Sequence, residues 1–236
     1  MKLKIGLALA SLMLAGNAFA AGTNAIPVTV SEFLRAGRHY PIIFGGSGED
    51  LHSMVVVGLT EGANLFVDPA SGFWEADHYL PAYVRRYPFI LARQGEAGDF
   101  AVCIDEACPD FSQSEGEALF DAEGEQSDYL KRSIDFVREY QQDHERSRHF
   151  ARALDEAGLL EEVNADVSLE IGEKYRLGGL RVISRRRLQD LPDKLCRDWL
   201  RNGYLEHAFL HLASLTNFSA LVERLAVRQG KAKKTA

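Results

Sequence analysis

The eleven residues from Tyr79 to Phe89, YLPAYVRRYPF, constrain this chain more than any other stretch. Two prolines, two adjacent arginines and four aromatic rings share one compact segment. A helix throughout is excluded, because Pro88 supplies no N–H and biases Tyr87 away from the α region. Pro81 suits a first helical turn, so one short helix over Pro81 to Arg86 is expected. Neighbouring side chains on a helix lie about 100° apart, so Arg85 and Arg86 face different ways. One guanidinium can then pair inside the protein while the other meets a ligand, a partner or water.

The N-terminus reads as an export signal. Lys2 and Lys4 form a positive start, Ile5 to Ala15 is an uncharged apolar run, and Ala18-Phe19-Ala20 has the small-x-small pattern that precedes cleavage. The expected cut lies between Ala20 and Ala21, and the run is short for a bilayer span. Residues 1–20 are thus read as a signal peptide, 21–228 as a single α+β domain and 229–236 as a basic disordered tail. No transmembrane segment is expected in the mature chain, which is placed in the periplasm or at the cell surface. Losing Lys2 and Lys4 takes the formal net charge from −7 to −9. Nucleic-acid binding needs a basic footprint, so this charge argues against it.

Candidate strands in the first half are Pro41 to Phe44, Met54 to Leu59, Asn64 to Asp68, Phe89 to Arg93 and Phe100 to Asp105. A short helix capped by Ser31 is expected over Glu32 to Arg35. Ser127 to Ala157 turns helical, with stripes at Leu130, Ile134, Val137 and at Phe150, Leu154, separated by the polar run Gln141 to His149. That run implies two helices, or one bent helix with an exposed middle, and Gly158 supplies the stop. Val167 to Ile171 alternates as a strand does. Tyr175 to Leu177 and Leu180 to Ile183 suggest a hairpin around Gly178-Gly179. Helices over Asp193 to Arg201, Leu205 to Leu215 and Phe218 to Val227 close the chain. The expected class is α+β: a mostly antiparallel β first half, a helical middle, a β-hairpin and a C-terminal group of short helices.

Few residues suggest chemistry. His207 and His211 have the spacing of two metal ligands on a helix, but Glu206 precedes the first histidine instead of following it, the wrong side to activate a bound water. They are weak metal candidates beside an apolar stripe of Leu205, Ala208, Phe209 and Leu212. No catalytic constellation and no cofactor motif is present. Cys103 and Cys108 flank a four-residue turn and suit a small-loop disulfide in an oxidising compartment; burial of Cys103 in a strand is the competing explanation. Cys196 is expected to be buried on its helix. Asn217-Phe218-Ser219 matches a glycosylation sequon. The binding candidates are Tyr79, Tyr83, Arg85, Arg86 and Tyr87, joined by Trp74 and His39. Arginine forks suit carboxylate or phosphate, and aromatic walls suit rings or sugars. In the competing structural reading, Arg85 or Arg86 pairs with Asp68 or Asp121.

Taken in order, these blocks resemble the SapC-like family. The resemblance is carried by His39-Tyr40-Pro41-Ile42-Ile43-Phe44, Gly58-Leu59 with Asn64 to Asp68, Trp74, and YLPAYVRRYPF. It continues through Cys103-Ile104-Asp105, Gly116 with Leu119-Phe120-Asp121, Leu191-Pro192-Asp193, and His211 to Leu215. It spans roughly residues 27–225. The family takes its name from a surface-layer locus, and relatives tend to accompany outer-membrane receptor genes. The resemblance implies no reaction, cofactor or catalytic residue. The combined expectation is an exported, non-enzymatic binding or assembly factor of the cell envelope. Its partner would be a surface-layer or other envelope protein, or a small anionic ligand. The alternative is a hydrolase or peptidase, metal-dependent through His207 and His211.

Overall fold

The structure is a computed structural model and describes the backbone of residues 4–5, 20–94, 99–109, 111–168 and 174–235. Its strands in chain order are β1 (Lys4–Ile5), β2 (Ala25–Pro27), β3 (Ile42–Gly45), β4 (His52–Val56), β5 (Phe89–Gln94), β6 (Asp99–Ile104), β7 (Phe111–Ser112), β8 (Glu117–Ala118), β9 (Leu160–Ser168) and β10 (Lys174–Ile183). The helices are α1 (Phe33–Ala36), α2 (Ala82–Arg85), α3 (Asp128–Glu156), α4 (Arg185–Gln189), α5 (Asp193–Arg201), α6 (Tyr204–Ser214) and α7 (Asn217–Thr235). Short 3-10 turns span Val30–Glu32 and Gly48–Asp50.

Five strands form one antiparallel sheet in the order β2-β4-β3-β10-β9, and β5 pairs with β6 as a separate two-stranded ribbon. Ile42, Ile43 and Phe44 of β3 are all buried, as befits a central strand covered on both faces. Helix α6 closes on it: the Ile42 N–H donates to Ser214 Oγ at 2.9 Å, and the His211 ring lies 5.2 Å from that of Phe44. The class is therefore α+β, with an antiparallel sheet, a long helical middle and a C-terminal run of helices.

Helix α3 is continuous over 29 residues, capped by Ser127, whose Oγ accepts from the Leu130 N–H. Leu130, Ile134 and Val137 pack under the ribbon with Phe89 and Leu119. Phe150, Ala151 and Leu154 join the main core. The polar middle is neither a break nor fully exposed. Ser147 is buried, accepts the Val30 N–H at 2.8 Å and donates to the Asp143 carbonyl, while Ser31 Oγ donates to Asp143. These residues are polar because they satisfy the chain entering α1, not because they face water. Gly158 ends α3 as expected: at φ +64° it lets Leu159 N–H reach Leu154 O and its own N–H reach Asp155 O.

Several expectations are corrected. Thr29, not Ser31, precedes the first turn: the Glu32 carboxylate reaches back to the Thr29 N–H at 2.9 Å. Asn64 to Asp68 is not a strand. It makes a single bridge, Val67 to Trp74, because Asn64 Oδ1 turns the chain by accepting the Phe66 N–H. Gly178-Gly179 is a bulge inside one strand, not a hairpin turn: β10 runs through it, and its register against β9 slips between Leu177 and Leu180. The part of the Val167 to Ile171 expectation beyond Ser168 lies outside the described residues. Helix α7 continues past Val227 to Thr235 and so takes in the lysine-bearing tail.

Of the residues read as an export signal, 1–3 and 6–19 lie outside the described residues, whereas Lys4–Ile5 forms β1. Ala20 is fully buried, and its carbonyl accepts from Asn64 Nδ2 at 3.0 Å. No helix among the described residues is long and apolar enough to cross a membrane.

Candidate functional site

Helix α2 forms where Pro81 allows it and ends before the cis bond between Tyr87 and Pro88. Arg85 and Arg86 do face different ways, and each lines its own cleft. The two clefts share α3 as a wall, with Tyr140 in both.

Arg86 belongs to the first cleft, of about 430 Å³. Its guanidinium carbon lies 4.4 Å from the Tyr83 ring centre and 4.9 Å from that of Tyr140, and those two centres are 6.5 Å apart. The cation therefore sits in a notch flanked by two rings inclined at 54° to each other, a favourable cation–π position. Among the described residues it meets no carboxylate and donates no hydrogen bond. The floor of the cleft is one face of α3: Tyr140, Gln141, His144 and Arg148. The opposite wall is Glu49, Asp50 and His52. Arg148 donates to the Glu49 carbonyl and lies 3.8 Å from Glu145, while the His52 ring bonds the Asp50 carbonyl.

His144 stacks on Tyr140 with ring centres 6.1 Å apart. Burial holds its pKa below the ordinary histidine value; Glu145 opposes this, and Arg148, His52 and Arg86 reinforce it. The imidazole is therefore kept neutral, by burial first and by the Arg86 and Arg148 guanidinium groups second. An anion entering the cleft would be attracted by the two guanidinium groups that line it.

Arg85 belongs to the second cleft, of about 390 Å³. Its Nε donates to Leu80 O at 3.0 Å, its Nη2 to Tyr79 Oη at 3.1 Å, and it covers the Phe136 ring at 5.1 Å. Tyr79 in turn donates to Glu32 Oε1 at 3.0 Å. Glu32 is 4 % exposed and also accepts from the Ala82 N–H, the Thr29 N–H and the Thr29 hydroxyl. It joins the chain before α1 to the first turn of α2. Burial and the Glu32 charge push the Tyr79 hydroxyl up to about 12, with Arg85 opposing.

The expected binding group is thus divided. Tyr83 and Arg86 share one cleft, and Tyr79 and Arg85 share the other. Tyr87 lies apart, donating to Asp105 Oδ2 at 2.9 Å. Trp74 is core: its indole N–H donates to Tyr40 Oη at 3.2 Å. His39 pairs with His78 at 5.3 Å and lines neither cleft. Neither arginine reaches Asp68 or Asp121, whose carboxylates instead fold their own loops by accepting the Ala70 N–H and the Glu125 N–H.

The remaining expectations resolve locally. No disulfide joins Cys103 to Cys108: both carry thiols, and the buried Cys108 sulfur lies within hydrogen-bonding reach of Tyr87. Cys196 is exposed, because α5 turns Trp199 inward instead. His211 lies on the buried face of α6, while Phe209 of the expected stripe is 56 % exposed. His207 sits against Phe33 and Phe150 at 6.0 and 5.5 Å. Among the described residues no three His, Cys, Asp or Glu side chains converge as metal ligands would. The sequon residue Asn217 is engaged, its amide donating to Gly37 O and Tyr40 O.

Sequence reasoning missed Glu32, Tyr140, His144, Arg148 and the Glu49–His52 wall. Two signals were available. Thr29-Val30-Ser31-Glu32 is a capping box, flanked by the apolar pair Val28 and Phe33. Tyr140, His144 and Arg148 recur every four residues and so share a helix face.

The fold and site together define an α+β protein with an arginine set between tyrosine rings at the edge of an open cleft. The sequence pattern of the SapC family matches residues 11–221, and the chain belongs to that family. No curated protein and no solved structure matches the chain.

Proposed function

We propose that this SapC-family chain is an exported, non-enzymatic binding protein of the cell envelope, serving a surface-layer or outer-membrane system, and that it takes an anionic group at Arg86. One observation carries the reading: the Arg86 guanidinium lies between Tyr83 and Tyr140 at a cleft of about 430 Å³ and meets no carboxylate of its own among the described residues. A half-buried cation with no carboxylate or hydrogen-bond partner among the described residues has its in-plane donors available for an oxyanion fork. Export rests on the pattern of residues 1–20, and the envelope setting on the family's surface-layer association. The hydrolase alternative has less to build on, because His211 is enclosed beside Phe44 and lines neither of the two clefts.

Acetate titrated into the purified protein, followed by the NMR signal of the Arg86 Nε–H, tests the site. Saturable shifts are expected there and at the His144 ring, which lines the same cleft, and the His144 shifts should be absent in Arg86→Met. The variant keeps the alkyl packing and loses only cation–π contacts, so its stability should fall by no more than about 1–2 kcal/mol. A loss of about 3–5 kcal/mol, the cost of breaking a buried pair, with no acetate effect on the native protein would make Arg86 scaffold instead.

A further inference from the structure

The Arg86 cleft has charge at both ends. Along its floor Tyr140, His144 and Arg148 succeed one another on α3, and eight residues at the helical rise span about 12 Å. Arg86 stands over Tyr140 at one end. Arg148 marks the other end, where it holds the Glu49 carbonyl, so that the side chains of Glu49 and Asp50 border the cleft there. Both acids are exposed, and neither carboxylate meets a cation among the described residues. Between the two ends Gln141, His144 and His52 supply polar groups beside the Tyr83 and Tyr140 rings and Pro27, and His144 makes no hydrogen bond among the described residues. A chain of amide groups would find donors and acceptors throughout.

We propose that this groove binds a short peptide by its two charged termini, the carboxylate on Arg86 and the ammonium at Glu49 and Asp50. The proposal rests on the assignment of the Arg86 cleft as an anion site and adds the second pole. Three to four extended residues measure about 10–14 Å, which matches the length of the floor. A free carboxylate accepts the guanidinium fork in plane, and Arg86 donates no hydrogen bond among the described residues.

The test uses the full chain and four probes: tetra-alanine, its C-terminal amide, its N-acetyl form, and acetate. Binding is read from the NMR signals of the Arg86 Nε–H and the His144 ring. Tetra-alanine should bind more tightly than acetate. Amidation should weaken it about tenfold or more, the value of one charge-assisted interaction, and Arg86→Met should bind the free and amidated peptides alike. Acetylation should weaken binding several-fold in the native protein and have no effect in the Glu49→Gln, Asp50→Asn double variant, whose changes are exposed and leave the core untouched. If acetate binds as tightly as tetra-alanine, or acetylation has no effect, the peptide inference fails while the anion site stands. If no probe moves either signal, both fail.

Discussion

Glu32 is the residue on which the region around the arginine motif depends most. Its carboxylate accepts from two backbone N–H groups, a threonine and a tyrosine, all in a nearly closed space. Glu32→Ala would strand these donors, each costing about 1–3 kcal/mol when buried and unpaired. We expect a loss of at least about 3 kcal/mol in urea unfolding, with a smaller loss for Glu32→Gln, which keeps one acceptor oxygen. A loss under about 1 kcal/mol for the alanine variant would show that water replaces the carboxylate. His211 makes a complementary statement about pH. It is fully buried, neither ring nitrogen has a hydrogen-bond partner among the described residues, and burial lowers its pKa to about 3. Above pH 6.5 the imidazole is neutral folded and unfolded, so it contributes no pH dependence. Below that the unfolded chain gains a proton that the folded protein refuses, and stability falls until about pH 3, with a slope of up to about 1.4 kcal/mol per pH unit. His211→Leu should flatten that part of the profile. An unchanged slope would assign the acid sensitivity to other groups, of which His39, His78, His144 and His207 are all shifted the same way.

Among the elements, α3 serves three regions in succession: the ribbon, the clefts and the main core. Its apolar stripes were legible because they follow helical spacing. Its polar middle was misread as exposed because a serine that caps another segment looks, in one dimension, like a serine in water. The position of the C-terminus matters equally. Gly158 adopts φ +64°, where a side chain is strained although the space around it is open. Gly158→Ala should therefore cost about 1 kcal/mol through backbone strain alone, read as a lower thermal midpoint with unchanged far-ultraviolet dichroism. A neutral substitution would mean that the helix end relaxes without its Schellman bonds. The glycine pair 178–179 carries the opposite lesson. The same dipeptide suits a hairpin turn or a bulge, and only the pairing of β10 with both β3 and β9 decides for the bulge.

At the scale of the molecule, export and folding meet at one residue. Cleavage after Ala20 would remove the carbonyl that Asn64 Nδ2 donates to inside the core. If the export proposal holds, N-terminal sequencing of protein from the native host should give Ala21 as the first residue. Chain prepared to begin at Ala20 should then be more stable than chain beginning at Ala21 by about 1–3 kcal/mol, the cost of one buried unpaired donor. Full-length protein recovered from the cell interior would remove the export assignment. The sequence by itself determined the α+β class, most strand and helix positions, the family and the divergence of Arg85 and Arg86. Each of these follows from local spacing and backbone preference, which neighbours in the chain suffice to specify. Only the tertiary structure decided which residues face those arginines. Tyr140, His144 and Arg148 lie more than fifty positions beyond them, Glu32 as far before, and the Glu49–His52 wall more than thirty before. Contacts at such separations depend on how the elements pack, and no local pattern records that.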